Sequence, residues 1–136
     1  MDAHQISTKP DPYAAFNIAQ AYQVDNTIYM SGQVALNFEG EIVGVGDIAA
    51  QTKQALENIK AVLETVGSGM NKVVKMTTYL TDMANAQQCS EAKSSFFGAP
   101  PPAETLVQIS ALALPDLLVE IDVIAMIDGV RRPSLP

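Results

Sequence analysis

One long amphipathic pattern between residues 47 and 67 limits what this chain can fold into. Apolar residues recur there at steps of three and four: Ala55, Leu56, Ile59, Val62, Leu63 and Val66. This spacing predicts a helix with one apolar stripe and a polar opposite side. Asp47 is expected to cap the helix, and Gly67 is expected to end it. Such a helix is stable only when its stripe packs against another layer of structure.

The remaining patterns predict a sheet as that second layer. Residues 18–24 and 27–30 flank the turn-prone pair Asp25-Asn26 and predict a hairpin. Runs of β-branched and aromatic residues predict further strands at 41–43, 72–80, 105–112 and 118–127. A second helix is expected between Thr81 and Gly98, because the three prolines at 100–102 cannot continue one. This order predicts an α+β fold with two helices on one face of the sheet.

The predicted strand at 105–112 carries apolar residues on both of its faces. Val107, Ile109 and Ala111 alternate with Leu106 and Leu112. Two helices cover only one face of a sheet, so the other face needs a partner. In a chain this small, the simplest partner is a second copy, and the pattern predicts a homo-oligomer. A closed ring of copies would create clefts between subunits, where ligand sites often lie.

Length and composition indicate one domain spanning 1–136, at roughly 150 residues for each domain. Residues 1–12 read as an N-terminal arm and 128–136 as a solvated C-terminal tail that includes Arg131 and Arg132. No segment approaches about 18 apolar residues, and the first residues show no apolar targeting segment. We therefore expect a cytoplasmic protein without a membrane partner.

The charge balance and the rare residues exclude several function classes. Eight Lys and Arg stand against 15 Asp and Glu, which gives a net charge of −7 and argues against a nucleic-acid partner. The single cysteine, Cys89, and the single histidine, His4, exclude a multi-cysteine zinc site and a histidine-rich metal site. No metal and no cofactor are expected.

Short motifs along nearly the whole chain resemble the Rid family of reactive-intermediate deaminases, also called YjgF or L-PSP endoribonuclease-like proteins. The matching segments are 12–13, 28–33, 40–43, 51–59, 74–77, 80–83, 96–98, 102–103, 119–121 and 124–125. The resemblance implies a chorismate-mutase-like α+β fold with a mixed sheet. It also implies a homotrimer that binds a small metabolite in clefts between its subunits.

In catalytic members of that family, a glutamate positions water and an arginine holds the substrate's carboxylate. The glutamate position here is Glu120, which the resemblance makes the candidate catalytic residue. The arginine position is Glu104, and residues 3–130 contain no arginine at all. The ligand-binding residues implied by the resemblance are Tyr13, Ser31, Gly32, Phe97, Glu104 and Thr105. Without the family comparison, Tyr13 reads equally well as an arm residue that packs on a neighbour, and Ser31 as turn chemistry.

An acidic residue in place of the arginine reverses the sign of the interaction with a carboxylate. Two unit charges ~4 Å apart interact by ~4 kcal/mol at an effective dielectric constant of ~20. Activity on 2-aminoacrylate-type acids is therefore expected to be weak or absent. Two alternatives stay open. Glu104 could be protonated through burial beside Glu120, or a lysine of a neighbouring subunit could replace the arginine, with Lys93 nearest to a family position, often tyrosine.

Three functions follow, and whether the chain is an enzyme stays open among them. The first is a hydrolytic enamine or imine deaminase, a hydrolase of C–N bonds, with an atypical substrate. The second is a non-catalytic trimeric protein that binds a small metabolite. The third, a ribonuclease or translation inhibitor, ranks last, because the net charge of −7 offers nothing to attract RNA.

Overall fold

The computed structural model describes residues 1–136 as a mixed six-stranded sheet with two helices on one face. The elements are β1 (His4–Ile6), β2 (Ala21–Val24), β3 (Thr27–Met30), α1 (Ile48–Glu64), β4 (Val73–Leu80), α2 (Ala86–Ser94), β5 (Ala103–Gln108) and β6 (Val119–Met126). The strand order is β1-β2-β3-β6-β4-β5. Only β4 and β5 run parallel, and the other neighbours are antiparallel. The predicted fold class is confirmed.

The long helix forms as its pattern predicts. The Asp47 side chain accepts a hydrogen bond from the Ala50 N–H at 3.0 Å and caps the first turn. The stripe is fully buried against the sheet from Ala55 to Leu63, with Leu56, Ile59 and Leu63 at 0% exposure, and Val66, just beyond α1, is partly buried. Neither helix has both the length and the apolar character needed to cross a bilayer.

Several elements differ from the predictions. β1 forms within the segment predicted as an N-terminal arm, and β2 begins at Ala21 instead of residue 18. β5 ends at Gln108 instead of residue 112, because it lies at the sheet edge and its one neighbour, β4, ends at Leu80. The second helix is shorter than predicted, because Asp82 caps a separate 3-10 turn before α2 begins. Residues 41–43 form a single bridge, Leu36 to Ile42, and no strand.

The two faces of the sheet differ in character. Along β6, Val119, Ile121, Val123 and Ala125 are at most 1% exposed and pack beneath the helices. The alternate residues of β6, beginning with Glu120, point to the other face. Tyr22, Tyr29 and Val107 on that face are 42%, 51% and 37% exposed, and nothing in the chain covers them. We refer to this surface as the open face.

Arg131 does not lie in a solvated tail, as its sequence position suggests. Its guanidinium donates to the backbone carbonyls of Pro100 at 2.6 Å, Val73 at 2.6 Å, Gly98 at 3.0 Å and Met70 at 3.2 Å. Burial lowers the pKa of this guanidinium from its ordinary value. The side chain therefore joins the tail to the loop after α2 and to the start of β4.

We predict that Arg131→Ala destabilises the fold. The substitution leaves four carbonyls without their donor, which is expected to lower the free energy of unfolding by ~1–3 kcal/mol. Arg132→Ala is the matched control, because Arg132 is exposed and its side chain makes no hydrogen bond in the chain. Urea denaturation of both variants measures the difference. Equal stability of the two variants would contradict a structural role for Arg131.

Candidate functional site

Glu120 lies in an apolar cavity of about 410 Å³ on the open-face side of the sheet, which we call the Glu120 cavity. It is lined by Tyr13, Phe16, Ile18, Ser31, Gly32, Val34, Leu36, Ala113, Leu114, Leu117 and Glu120. Four of the residues predicted from the sequence as site residues, Tyr13, Ser31, Gly32 and Glu120, therefore lie together. Glu120 is the only ionisable carboxyl group among the lining residues.

Gly32 leaves the space that the Glu120 side chain occupies. The backbone of Gln33 exchanges two hydrogen bonds with that of Ile121, at 2.8 and 2.9 Å, and this pairing draws the segment after β3 against β6. A Cβ atom on Gly32 would overlap the carboxyl end of Glu120. The Glu120 side chain therefore packs directly against the backbone of residue 32. This contact is possible only because glycine has no Cβ atom.

The surroundings of Glu120 favour its neutral form. Burial in the apolar cavity raises the pKa of the Glu120 carboxyl above its ordinary value, and the charge of Asp122 raises it further. Asp122 is two residues further along the same face of β6 and accepts a hydrogen bond from the Tyr79 hydroxyl at 3.1 Å. A carboxyl with a raised pKa in a cavity can accept a proton and return it during a reaction.

Tyr13 and Ser31 fix the backbone around the cavity. The Tyr13 hydroxyl donates to the Gly32 carbonyl at 2.7 Å, and Ser31 Oγ donates to the Ala19 carbonyl at 2.6 Å. Burial raises the pKa of Tyr13 to about 12, so its hydroxyl keeps its proton at neutral pH. Both hydroxyl protons are used within the chain, and the two oxygens remain as acceptors.

Glu104 lies in a second cavity of about 330 Å³ beside the end of α2, which we call the Lys93 cavity. Lys93 and Glu104 form an ion pair through Glu104 Oε2. Thr78 joins this pair, since its hydroxyl donates to Glu104 Oε2 at 2.8 Å and accepts from Lys93 Nζ at 3.2 Å. The side chain of Lys93 is 6% exposed and that of Glu104 is 31% exposed.

The ion pair bears directly on what position 104 can bind. The sequence predicted that Glu104 repels carboxylates unless it is protonated or a lysine of a neighbouring subunit replaces the arginine. Instead, a lysine of the same chain pairs with it, and the pair carries no net charge. The cavity therefore offers a carboxylate neither the planar fork of an arginine nor a free cation.

Within one chain, Glu104 and Glu120 lie on opposite faces of the sheet. Glu104 pairs in register with the buried Met76 and points to the helix side, whereas Glu120 pairs with Tyr79 and points to the open face. Thr105 follows Glu104 on β5 and points to the open face, where its Oγ1 accepts from Lys75 Nζ at 2.9 Å. Of the other predicted residues, Phe97 lines the Lys93 cavity.

Several residues of the two cavities were not predicted from the sequence as site residues. Lys93 was considered only as a substitute cation, and Thr78 was read as a strand residue. A signal for Lys93 existed, because it lies four residues after the buried Cys89, on the same face of the helix. Phe16, Ile18 and Leu114 in the Glu120 cavity carried no such signal. No group of three or more His, Cys, Asp or Glu side chains is placed to hold a metal ion.

Comparison with known proteins identifies relatives of this chain. The family model described as Endoribonuclease L-PSP matches residues 7–127. A RutC family protein of Pyrococcus abyssi is 42% identical over 121 residues, which are 88% of this chain and 94% of that protein. The 2-iminobutanoate/2-iminopropanoate deaminase of Mus musculus is 38% identical over 107 residues, 79% of each chain. Sequence relatives of this kind include enzymes named as imine deaminases.

Solved structures give the same result. A Rid-family protein of Yersinia pestis superposes with a TM-score of 0.85 at 38% identity, over 92% of this chain and 99% of that one. The RidA protein of a Psychrobacter species superposes with a TM-score of 0.83 at 35% identity, over 90% and 98%. The resemblance drawn from the short motifs is confirmed, and the chain belongs to the Endoribonuclease L-PSP family, also known as the Rid family.

Proposed function

We propose that this protein is a hydrolytic deaminase that acts on a small imine or enamine in the Glu120 cavity. The observation that carries the proposal is a carboxyl of raised pKa held inside a mostly apolar cavity. Such a group can exchange protons with water near a bound substrate. The deaminase names of the mouse and Dermatophagoides farinae relatives support the same reaction type.

The proposed reaction needs one base and one water molecule. Glu120 orients the water and accepts its proton while the oxygen attacks the C=N carbon. The π electrons pass to nitrogen, and Glu120 delivers the proton that it accepted to that nitrogen, which gives a carbinolamine. In a second transfer Glu120 carries the hydroxyl proton of the carbinolamine to nitrogen as the C–N bond breaks and its electron pair leaves with nitrogen, so that one imine and one water yield one carbonyl compound and one ammonia. An enamine substrate first takes up a proton on carbon and releases one from nitrogen, which gives the imine.

The walls of the cavity define the substrate class. Phe16, Ile18 and Leu114 provide apolar surface, and no cationic side chain lines the Glu120 cavity. Where the neighbouring copy contributes its position 104 to the same cleft, that position holds the ion pair of Lys93 and Glu104 and not the arginine that the family resemblance implies for a carboxylate. We therefore propose that the favoured substrate is an imine with apolar substituents, and that 2-imino acids react slowly.

We also propose that the protein forms a homotrimer with its open faces turned inward and a small metabolite in the clefts between copies. The exposed Tyr22, Tyr29 and Val107 on the open face support this arrangement. Since Glu104 and Glu120 lie on opposite faces of one sheet, any cleft that contains both must take them from two copies. Clefts between copies are what the family resemblance implies.

A non-catalytic protein that binds a metabolite is the second candidate. The hydroxyl protons of Tyr13 and Ser31 are both bonded to backbone carbonyls, so neither is free for a substrate. Combined with the missing arginine, this favours binding without turnover. Loss of turnover in a Glu120 variant separates the two candidates, because a binding protein has no turnover to lose.

The first prediction of this proposal concerns carboxylate preference. Wild-type protein is expected to accelerate hydrolysis of a neutral imine released by a flavin amine oxidase from benzylamine. It is expected to accelerate hydrolysis of 2-iminopropanoate, released by an amino-acid oxidase, little or not at all. Trapping with semicarbazide measures the decay of both. Acceleration of 2-iminopropanoate alone would contradict the proposed substrate class, and acceleration of neither would favour the binding protein.

The double variant Lys93→Tyr/Glu104→Arg tests the reason for that preference. It restores the arginine, places the common family residue at position 93, and avoids two adjacent cations. A charge-assisted fork contributes ~1.5–3 kcal/mol, so kcat/KM for 2-iminopropanoate is expected to rise about 10- to 100-fold. Lys93→Tyr alone, which supplies no cation, is the control and is expected to show no gain. An equal gain in both variants would show that the ion pair does not set the preference.

The second prediction concerns Glu120→Gln, which is expected to lower turnover by ~10²-fold or more. The same variant is expected to be more stable than wild type at pH 7, because folding raises the pKa of Glu120 and so disfavours its charged form. The stability difference should vanish below the ordinary pKa of 4.5 and grow as the pH rises through the folded-state pKa. Thermal denaturation from pH 3.5 to 8 measures it.

Asp122→Asn is the control for that variant. It keeps Glu120 but removes the neighbouring negative charge that raises the pKa of Glu120. Turnover should persist, and the acid limb of its pH profile should move to lower pH. Unchanged turnover in Glu120→Gln would rule out Glu120 as the base.

The third prediction concerns Gly32→Ala, which tests the placement of Glu120. The added methyl group would displace the Glu120 carboxyl, and misplacement by about 1 Å can lower a rate about 100-fold. Stability should change little, because the atoms that the methyl group would meet all belong to the Glu120 side chain and none to the backbone. Gly69→Ala is the control, since Gly69 has extended backbone (φ −178°) and lies outside both cavities. Equal kcat in both variants would contradict the role of Gly32.

A further inference from the structure

We propose that the Lys93 cavity binds a small primary ammonium group through Glu104. In this cavity Glu104, held in place by Lys93, offers a hydrogen-bond acceptor. It therefore does not suit the carboxylate ligand that the family resemblance implies at this position. The proposal concerns binding alone, and it holds whether or not the protein deaminates a substrate in the Glu120 cavity.

One of the two carboxylate oxygens of Glu104 is free. Oε2 is saturated, because it accepts from Lys93 Nζ and from the Thr78 hydroxyl. Oε1 accepts no hydrogen bond from the chain, and the Glu104 side chain is 31% exposed at the cavity wall. No buried side-chain oxygen or nitrogen lacks a partner, so Oε1 lies open to the cavity and not within the core. It can therefore accept a hydrogen bond from a ligand without any rearrangement.

The cation of the pair is withdrawn from the cavity. Only 6% of the Lys93 side chain is exposed, and its Nζ points to Thr78 and Glu104. A ligand that enters the cavity meets the carboxylate oxygen before it can meet the ammonium. The last carbonyls of α2, which end at Ser94 beside the cavity, add partial negative charge. Both features favour a ligand that donates N–H bonds and carries positive charge.

Three further properties limit the ligand. A volume of about 330 Å³ is near the lower end of the range for small-molecule pockets, so the ligand must be small. Met76, Phe97 and Pro102 line the walls and suit a short apolar body. The net charge of −7 also raises the local concentration of cations over that of anions. An alkylammonium of about four carbons combines these properties.

The test compares three probes of nearly equal shape. n-Butylammonium, n-butanol and n-butyrate are titrated into ¹⁵N-labelled full-length protein at constant ionic strength and pH 7. We expect n-butylammonium to shift amide signals near residues 93–104 in a saturable way. The alcohol and the carboxylate should bind at least about tenfold more weakly, since they lack the charge-assisted bond to Oε1. Equal or tighter binding of n-butyrate, or no binding of n-butylammonium, would overturn the proposal.

Two variants assign the interaction to Glu104. Glu104→Gln keeps the shape of the side chain and removes its charge. Lys93→Gln/Glu104→Gln removes both charges, so that no buried lysine is left unpaired if the single variant unfolds. Both should weaken n-butylammonium binding about tenfold or more. Glu91→Gln, an exposed carboxylate on α2 bonded to Gln87, is the control and should change nothing. Unchanged binding in the double variant would refute the assignment.

The deaminase assay is independent of this test. Butylammonium is not a substrate for hydrolysis, and shifts near residues 93–104 that persist in Glu120→Gln assign its binding to the Lys93 cavity and not to the Glu120 cavity. If Glu120→Gln abolishes turnover while Glu104→Gln leaves n-butylammonium binding unchanged, the results support the deaminase function and contradict the ammonium site. The reverse pattern keeps the ammonium site and removes the deaminase.

Discussion

The alternation of residues along β6 is the constraint on which both the core and the candidate site depend. β6 lies between β3 and β4 in the middle of the sheet, so its register fixes the register of its neighbours. Its odd-numbered residues fill the core beneath α1, and its even-numbered residues, including Glu120, face away from the helices. A slip of one residue would bury Glu120 and Asp122 under the helices without partners, at a cost of several kcal/mol. The packing of the core therefore also directs Glu120 into its cavity.

Patterns within one segment were sufficient to predict much of this structure. The stripe of α1, its Asp47 cap, the β2-β3 hairpin and the two faces of β6 each follow from spacing along a short stretch of chain. The composition of the chain served only to exclude classes of ligand, namely nucleic acid and metals held by several cysteines or histidines. The placement of Glu120 also follows, because alternation assigns it to the face opposite the helices. For these features, local preference and tertiary packing agree.

Features that join distant segments could not be predicted in the same way. Arg131 bonds to carbonyls 31 to 61 residues away, and no local pattern marks which carbonyls lack a donor. Lys93 lies on the same face of its helix as Cys89, but a buried lysine is rare without a partner, so its spacing alone did not predict its burial. Its partner, Glu104, comes from a strand whose edge position depends on the whole sheet order. Buried charges are stabilised by tertiary contacts, and a single segment does not identify the partner of a buried charge.

Positions 93 and 104 are best understood as one unit. The family resemblance implies an arginine at position 104 on strand β5. In this chain the cation is Lys93 on helix α2, and position 104 holds a carboxylate. Each half of this change alone is unfavourable: an arginine at 104 beside Lys93 would bring two cations together, and removal of Glu104 would leave a lysine buried and unpaired. The total charge of the pair is therefore less informative than its geometry. Lys93 lies inside and Glu104 Oε1 lies outside, so the surface that a ligand meets is an acceptor, although a cation is only one hydrogen bond away.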